Sequence, residues 1–230
     1  MIKAILMDFN GVVINDEPIQ HQAYRAAFAA EGIDVTDEEY YSRLGMDDRT
    51  FVSSIFEAAG KPADDEKVTA IAQAKNDQWR EIVANEIPLF PGVEDFIRKS
   101  ANAFTLGIVS MANRADIEYV LGKVGLRDKF AVVISAQDIT CCKPHPECYR
   151  KGFRLLDAGR TALGHLPIVH GECLVVEDSP PGVAAAKGAG LPVLGVTNTV
   201  SESEMRAAGA DAVASSLGDW MPDSIRRTFC

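Results

Sequence analysis

The sequence predicts an α/β protein in which a parallel sheet is covered by helices and an all-helical domain is inserted after the first strand. Short apolar runs, typical of fully buried strands, alternate with helical patterns along most of the chain. This alternation indicates a parallel sheet with both faces buried. The segment 16–87 differs, because it contains helical patterns and no strand-like run.

Six apolar runs are the predicted strands. They lie at 2–7, 104–109, 131–134, 173–176 and 192–196, with a weaker run at 211–214. Between them, helices are predicted at 115–124 and at 181–189, and a third helix starts after Pro146 and ends near Leu156. The segment 160–171 is predicted to be a surface loop.

The inserted segment is predicted to form four helices. They lie at 19–31, 37–43, 47–59 and 64–84. In the last of these, Val68, Ile71, Ala72 and Trp79 recur at helical spacing, which favours a role in a hydrophobic core. We therefore predict a core domain made of 1–15 and 88–230, and a helical cap domain made of 16–87.

Composition limits the classes of function. The chain has 23 basic and 33 acidic residues, a net charge of −10, and no basic run, which disfavours binding to nucleic acid or to an anionic membrane. The N-terminus has no signal-peptide pattern, so we expect a cytoplasmic protein. Five cysteines without C-x-x-C spacing favour reduced thiols over disulfides or a zinc site.

The first predicted strand ends in a motif that suits catalysis. Asp8 follows the apolar run and precedes Asn10-Gly11, which is a turn signal. Ligands bind beyond the carboxyl ends of parallel strands. An aspartate there can attack phosphorus or bind a metal ion, although an aspartate that only closes an Asx turn gives the same pattern.

Two further motifs supply groups for phosphate. Ser110 ends the second apolar run and, with the N–H groups that follow, can bind phosphate oxygens. Lys143 is followed by Pro144 and can neutralise an anionic transition state. Alternative roles remain, because a serine at this place can cap a helix and an isolated lysine is commonly exposed.

Adjacent carboxylates form the fourth motif. Glu177 and Asp178 end the fourth apolar run. Adjacent carboxylates repel each other unless a cation lies near them, and their hard oxygen ligands suit Mg²⁺. The alternative, in which they only complement the next helix N-terminus, is weaker because they adjoin a buried strand.

In this order, the four motifs resemble those of the haloacid dehalogenase superfamily. The similar subgroup has a Rossmann-like core and a helical cap inserted after the first motif, and it includes β-phosphoglucomutase and many small-molecule phosphatases. The resemblance implies that Asp8 forms an aspartyl-phosphate, that Ser110 binds the transferred phosphoryl group and that Lys143 pairs with both. It also implies a Mg²⁺ site made of Asp8, the main-chain carbonyl of Asn10, Glu177 and Asp178.

The resemblance also implies substrate-binding residues. Arg49 follows a Gly-containing loop similar to the specificity loop of the subgroup, and Lys75 matches a lysine that faces the active site. Lys75 is equally compatible with an exposed helix surface. By similarity, Gln20, Met111 and Ala112 are expected to contact the substrate as well.

Three positions depart from the family pattern. Asn10 stands where the phosphatases and mutases of the family have an acid/base aspartate, and an amide cannot accept a proton at neutral pH. Asn15 replaces a common aspartate, and Gln20 replaces a common histidine. The chain can therefore be a hydrolase that is slowed by Asn10, a binding protein that keeps the phosphate site, or a protein with a substitution introduced to trap a complex.

The function we predict is Mg²⁺-dependent hydrolysis of a small phosphorylated metabolite, such as a sugar phosphate, through an aspartyl-phosphate. The alternatives are a phosphosugar mutase similar to β-phosphoglucomutase, and a non-catalytic protein that binds a phosphorylated ligand. The expected partner is the small metabolite alone, with the chain as a monomer or a weak homodimer.

Overall fold

A six-stranded sheet lies at the centre of the computed structural model, which describes residues 1–229. The strands are β1 (Ala4–Met7), β2 (Thr105–Val109), β3 (Phe130–Ile134), β4 (Cys173–Glu177), β5 (Val193–Val196) and β6 (Ala212–Ala214). Their order in the sheet is β3-β2-β1-β4-β5-β6, and every neighbouring pair is parallel. This arrangement confirms the predicted parallel α/β fold.

Five helices lie between β1 and β2, and the first four form a part of the chain, residues 17–85, that we call the helical insertion. These four are α1 (Glu17–Ala29), α2 (Asp37–Tyr41), α3 (Asp48–Ala58) and α4 (Asp65–Asn85). The last three begin after Thr36, Asp47 and Asp64, whose side chains accept hydrogen bonds from backbone N–H groups of the first turn. The insertion has its own hydrophobic cluster, drawn from residues 24–74.

Six further helices cover the sheet. They are α5 (Val93–Ala101), α6 (Arg114–Lys123), α7 (Glu147–Ala162), α8 (Pro180–Gly188), α9 (Glu202–Ala207) and α10 (Pro222–Thr228). Successive side chains of β1 enter two different clusters: Ile5 and Met7 pack in one, and Ala4 and Leu6 in the other. Because side chains alternate along a strand, both faces of the sheet are buried, which explains the continuously apolar runs.

The insertion also packs against the sheet. Trp79 and Val83 of α4 and Ala23 of α1 belong to the same hydrophobic cluster as Ile5 and Met7. The inner faces of α1 and α4 are therefore held over one side of the sheet.

The predicted strands agree with the structure to within two residues at each end. Helix α1 begins two residues earlier than predicted, because Pro18 fits a helix first turn. The loop predicted at 160–171 is wrong at its start, since α7 continues to Ala162. The last turn of α7 carries mostly polar or exposed side chains, so it leaves no apolar periodicity in the sequence, and Arg160 there donates to Thr105 Oγ1 at 2.7 Å.

No helix within residues 1–229 has the length and apolar character needed to cross a membrane. The four cysteines in this range are free thiols, and Cys230 lies outside the described residues.

Candidate active site

Four predicted site residues lie together because they end neighbouring strands. Asp8 follows β1, Ser110 follows β2, and Glu177 is the last residue of β4, with Asp178 next. β1 lies between β2 and β4, and the register aligns the three carboxyl ends. Since ligands of open parallel sheets bind at this edge, the fold places all four side chains where a substrate would bind.

Lys143 lies between two of these carboxylates. Its Nζ is 2.9 Å from Asp8 Oδ2 and 2.5 Å from Glu177 Oε1, and the side chain is buried. Burial alone would lower the pKa of Lys143, but the charges of Asp8 and Glu177 outweigh it, so the pKa is raised. The lysine is therefore charged at neutral pH and is not the exposed surface residue that remained an alternative.

The Asp8 carboxylate is oriented by its own turn as well as by the lysine. Its Oδ1 accepts a hydrogen bond from the N–H of Phe9 at 2.8 Å. Burial raises the pKa of Asp8, the charge of Lys143 opposes this and the charge of Glu177 adds to it, and the net pKa is about 7. Asp8 is thus a fixed carboxylate whose charge is only partly compensated.

Glu177 uses both of its oxygens within the protein. Oε1 accepts from Lys143 and from the Tyr149 hydroxyl at 2.7 Å, and Oε2 accepts from the N–H and the hydroxyl of Ser179 at 3.3 and 3.1 Å. A Cβ at Gly182 would lie 1.9 Å from Glu177 Oε1, so the close approach of α8 requires glycine there. Glu177 therefore holds Lys143 and the turn before α8 in place.

A divalent cation fits this group of side chains. Asp8, Glu177 and Asp178 offer carboxylate oxygens that lie within 4.8 Å of one another. Burial raises the pKa of Asp178 well above its usual value, and the charges of Glu177 and Asp8 raise it further. Three buried carboxylates face the one ammonium of Lys143 in this cluster, and a Mg²⁺ ion would compensate the remaining two charges with hard oxygen ligands.

The turn after β1 leaves room for such a site. Gly11 has a φ of +72°, and a Cβ there would lie 1.9 Å from Asp178 Oδ2. Any other residue would meet both backbone strain and a clash with the carboxylate. This is the physical reason for glycine directly after Asn10.

Asn10 is held from both sides. Its Oδ1 accepts a hydrogen bond from Ser110 Oγ at 3.3 Å, and its Nδ2 donates to both carboxylate oxygens of Asp16, at 3.0 and 2.9 Å. Asp16 is fully buried and also accepts from Gln20 Nε2 at 2.8 Å and Trp79 Nε1 at 2.7 Å. Burial raises the pKa of Asp16, and these three donors oppose the shift.

A cavity separates the sheet edge from the helical insertion. Its floor includes Asp8, Asn10, Ser110, Lys143 and Asp178, together with Met111 and Ala112 of the loop after β2. The insertion contributes the opposite wall, which includes Glu17, Gln20, Tyr24, Tyr40, Arg43, Asp48, Lys75 and Trp79. The structure therefore brings every predicted catalytic residue and four of the five predicted substrate-binding residues to one cavity.

Lys75 is buried in the opposite wall, so the exposed-surface alternative is excluded. Its Nζ lies 2.8 Å from Asp48 Oδ1, which also accepts from the Tyr24 hydroxyl at 2.6 Å. Burial would raise the pKa of Asp48, but Lys75 and the hydrogen bonds outweigh it and lower the pKa. Asn113, which precedes α6, donates to Asp48 Oδ2 at 2.9 Å and links the insertion to the loop between β2 and α6.

Arg49 is the predicted substrate-binding residue that the structure does not bring to the cavity. Its guanidinium donates to Thr69 Oγ1 at 2.7 Å and to Asp65 Oδ1 at 3.1 Å on the half-exposed outer side of α3. Arg43 lines the cavity in its place, with its Nε on Ser54 Oγ at 2.9 Å. Arg43 lies in the turn after α2 and Arg49 in the first turn of α3, so the path of this loop and the packing of α3 together decide which one faces inward.

A family model described as haloacid dehalogenase-like hydrolase matches residues 2–190, a range that contains every residue of the sheet edge and the cavity named above. The chain belongs to this family. Within the haloacid dehalogenase-like hydrolases, the chain is 25% identical over 224 residues to a phosphoglycolate phosphatase of Yersinia pseudotuberculosis, covering 96% of this chain and 92% of the relative.

Solved structures agree with this assignment. A β-phosphoglucomutase of Clostridium difficile has a TM-score of 0.83 at 23% identity, covering 100% of this chain and 97% of the other, which shows the shared fold. CbbY of Rhodobacter sphaeroides, solved as an Asp-to-Asn variant in complex with xylulose-(1,5)bisphosphate, has a TM-score of 0.79 at 27% identity, covering 95% and 96%.

Several residues of the site were not identified from the sequence. Asp16, Glu17, Asp48 and Asn113 lie in helical or loop segments without a strand-end signal. The sequence signal that could have identified two of them is the pair of adjacent carboxylates Asp16-Glu17, which lies close to the predicted catalytic loop. Their contacts depend on long-range packing, which a single sequence does not show.

Proposed function

We propose that this haloacid dehalogenase-like hydrolase removes phosphate from a small phosphorylated metabolite, such as a sugar phosphate, in a Mg²⁺-dependent reaction through an aspartyl-phosphate on Asp8. The observation that supports this most strongly is the buried group of Asp8, Lys143 and Ser110 at the floor of the cavity between the sheet edge and the insertion. Phosphoryl transfer requires in-line positioning and charge compensation, and this group offers both.

The covalent chemistry has two steps. A carboxylate oxygen of Asp8 attacks phosphorus, the bond to the ester oxygen breaks, and the leaving alkoxide takes a proton from solvent water, since Asn10 cannot supply one. Water then attacks the same phosphorus, the bond to Asp8 breaks, and inorganic phosphate and the free carboxylate are formed. Lys143 compensates negative charge on the transferred oxygens. The Ser110 hydroxyl can bind one of these oxygens when it turns away from Asn10 Oδ1, to which it donates at 3.3 Å, and an N–H group of the following loop can bind another.

Mg²⁺, when bound, would screen the charge between Asp8 and the phosphoryl oxygens. Asp8, Asp178 and the main-chain carbonyl of Asn10 are the residues that would hold it, with Glu177 beside them. Because both Glu177 oxygens already accept hydrogen bonds, its main contribution is to orient Lys143 and the Asp178 turn.

The helical insertion is proposed to be the cap that binds the rest of the substrate. It forms the wall opposite Asp8 and carries polar groups that suit hydroxyls of a small metabolite. Gln20 Oε1 is buried and accepts no hydrogen bond within the described residues, so it is available to a substrate hydroxyl. Lys75 is already paired with Asp48, so the predicted contact of Lys75 with substrate requires a shared hydrogen bond with that pair.

The related proteins support a phosphate ester as substrate. One relative is named phosphoglycolate phosphatase, and the CbbY structure contains a sugar bisphosphate. The proposal concerns this class of substrate and does not select one metabolite within it.

Asn10 argues against the phosphosugar mutase alternative. A mutase must protonate and deprotonate sugar hydroxyls in each cycle, and an amide does neither at neutral pH. The same residue favours the non-catalytic alternative, because the chain keeps the residues that would bind phosphate and metal but lacks the acid/base aspartate.

A screen of phosphorylated metabolites, with and without Mg²⁺, tests the proposed function. Phosphate release should require Mg²⁺, and Asp8→Asn should eliminate it. Asn10→Asp should raise turnover by at least about tenfold, since general acid–base catalysis is worth about 10²- to 10⁴-fold. If neither the parent nor Asn10→Asp releases phosphate from any ester while both still bind one, the chain is a binding protein.

A further inference from the structure

We propose that Asp16 is the positioning residue for Asn10: it fixes the side-chain amide so that Oδ1 faces the reacting oxygen as a hydrogen-bond acceptor. The proposal rests on the proposed function and adds a residue to it. In this view Asn10 contacts the reacting groups, and Asp16 acts only through its hydrogen bonds to Asn10.

The geometry determines which way the amide points. An ionised carboxylate only accepts hydrogen bonds, and Asp16 accepts two from Asn10 Nδ2, at 3.0 and 2.9 Å. With the nitrogen held there, Oδ1 is turned to the opposite side, where Ser110 Oγ donates to it at 3.3 Å. Asp16 is fully buried, whereas Asn10 and Ser110 line the cavity, so the acceptor faces the phosphate position.

Asp16 is itself fixed by two donors from the helical insertion. Trp79 Nε1 of α4 donates to it at 2.7 Å and Gln20 Nε2 of α1 at 2.8 Å. The orientation of Asn10 is therefore tied to the position of α1 and α4. An acceptor fixed in this way can orient an attacking water without taking its proton, which is the part of the acid/base function that an amide can perform.

The pair also predicts the effect of placing a carboxylate at position 10. In Asn10→Asp, two carboxylates would lie about 3 Å apart in a buried site and repel each other. Exchanging the two residues, in Asn10→Asp with Asp16→Asn, keeps one carboxylate and one amide. The new amide at position 16 can donate to position 10, and its oxygen can still accept from Trp79 and Gln20.

The experiment compares four proteins, namely the parent, Asp16→Asn, Asn10→Asp and the exchanged double variant, with p-nitrophenyl phosphate and Mg²⁺. Asp16→Asn should lower kcat by about tenfold or more and change KM by less than about twofold. The Asn10 amide can then rotate by half a turn, while the residues that bind the phosphate stay in place. Asp157→Asn, an isosteric change at a carboxylate that accepts from Ile168 N, is the matched control and should leave both constants unchanged.

The double variant separates positioning from a general structural role. If position 16 only supports the fold, the double variant should be as impaired relative to Asn10→Asp as Asp16→Asn is relative to the parent. We expect the reverse, namely that the kcat of the double variant is at least about twofold higher than that of Asn10→Asp. This factor corresponds to the lower end of the coupling energies found between residues in contact. A double variant slower than Asn10→Asp, or an Asp16→Asn variant with the kcat of the parent, would overturn the proposal.

A second measurement does not depend on turnover. Asn10 can deamidate when the Gly11 nitrogen attacks Asn10 Cγ and ammonia leaves, and water then opens the ring to a carboxylate. The two hydrogen bonds from Asn10 Nδ2 to Asp16, which we call the clamp, restrict the side-chain rotation that this attack needs. Intact-mass analysis should therefore show faster deamidation at Asn10 in Asp16→Asn than in the parent. If no variant is an enzyme, the proposed function fails while faster deamidation still supports the clamp, and equal rates overturn it.

Discussion

Mg²⁺ should stabilise the folded protein, and the size of the effect depends on the charges at the sheet edge. Asp8, Glu177 and Asp178 are buried around Lys143, which leaves two uncompensated negative charges when all are ionised. A cation that binds only the native state at one hundred times its Kd adds about 2.7 kcal/mol to the free energy of unfolding. For a domain of this length, that corresponds to a rise in Tm of roughly 5–10 °C.

The effect should depend on pH. The pKa of Asp8 lies at about 7, above its usual value of 3.8, so the metal-free native state binds an extra proton between these values and loses stability as the pH rises through that window. Mg²⁺ competes with this proton and with a proton on Asp178, whose pKa is also raised. At pH 5.5 the competition at Asp8 alone costs about 2 kcal/mol of Mg²⁺ binding, at about 1.4 kcal/mol per pH unit. The stabilisation at the same Mg²⁺ concentration should then fall to about 0.8 kcal/mol or less.

Thermal denaturation at pH 8 and pH 5.5, with and without about 10 mM Mg²⁺ to supply an excess of free cation, measures both effects. Asp178→Asn should remove the shift, while Asp128→Asn, an exposed aspartate paired with Lys129, should keep it. Equal Tm values with and without Mg²⁺ at pH 8, or a shift that persists in Asp178→Asn, would refute the assigned metal site.

Two further predictions concern the cavity wall. Arg43→Ala should weaken binding of phosphorylated metabolites but not of inorganic phosphate in calorimetric titrations, whereas Arg49→Ala should change neither, and a loss confined to Arg49→Ala would reverse the assignment. Burial, reinforced by the charge of Asp16, raises the pKa of Glu17 to about 7, so its native state holds a proton from about pH 4.5 to 7 and stability falls as the pH rises through that range. Glu17→Gln keeps a partner for the Tyr40 hydroxyl and removes the titrating carboxyl group. Because each pH unit of pKa shift is worth about 1.4 kcal/mol, its stability advantage over the parent in urea denaturation should be larger at pH 8 than at pH 4.5 by up to about 3 kcal/mol. A difference that does not change with pH would contradict this.

The sequence by itself determined the sheet and the residues at its edge. Parallel strands buried on both faces must be continuously apolar, so each strand was visible as a run, and the residue that ended the run was fixed to the binding edge. Asp8, Ser110, Glu177 and Asp178 were predicted in this way, and the structure brings them together with Lys143. The family resemblance assigned a role to each motif and marked Asn10 as a departure from the family pattern.

Only the tertiary structure decided how the helical insertion serves the site. Arg43 lies in the turn after α2, and Arg49 lies in the first turn of α3. Which of them faces the cavity depends on the path of the chain between these helices and on the packing of α3 against α4, and neither is visible in the sequence pattern. The contact of Asp48 with Asn113 and the clamp of Asp16 on Asn10 join segments that are far apart in the chain or meet across a turn. Such contacts are set by non-local packing, because hydrogen bonds between buried polar groups form only after the hydrophobic faces have placed the helices.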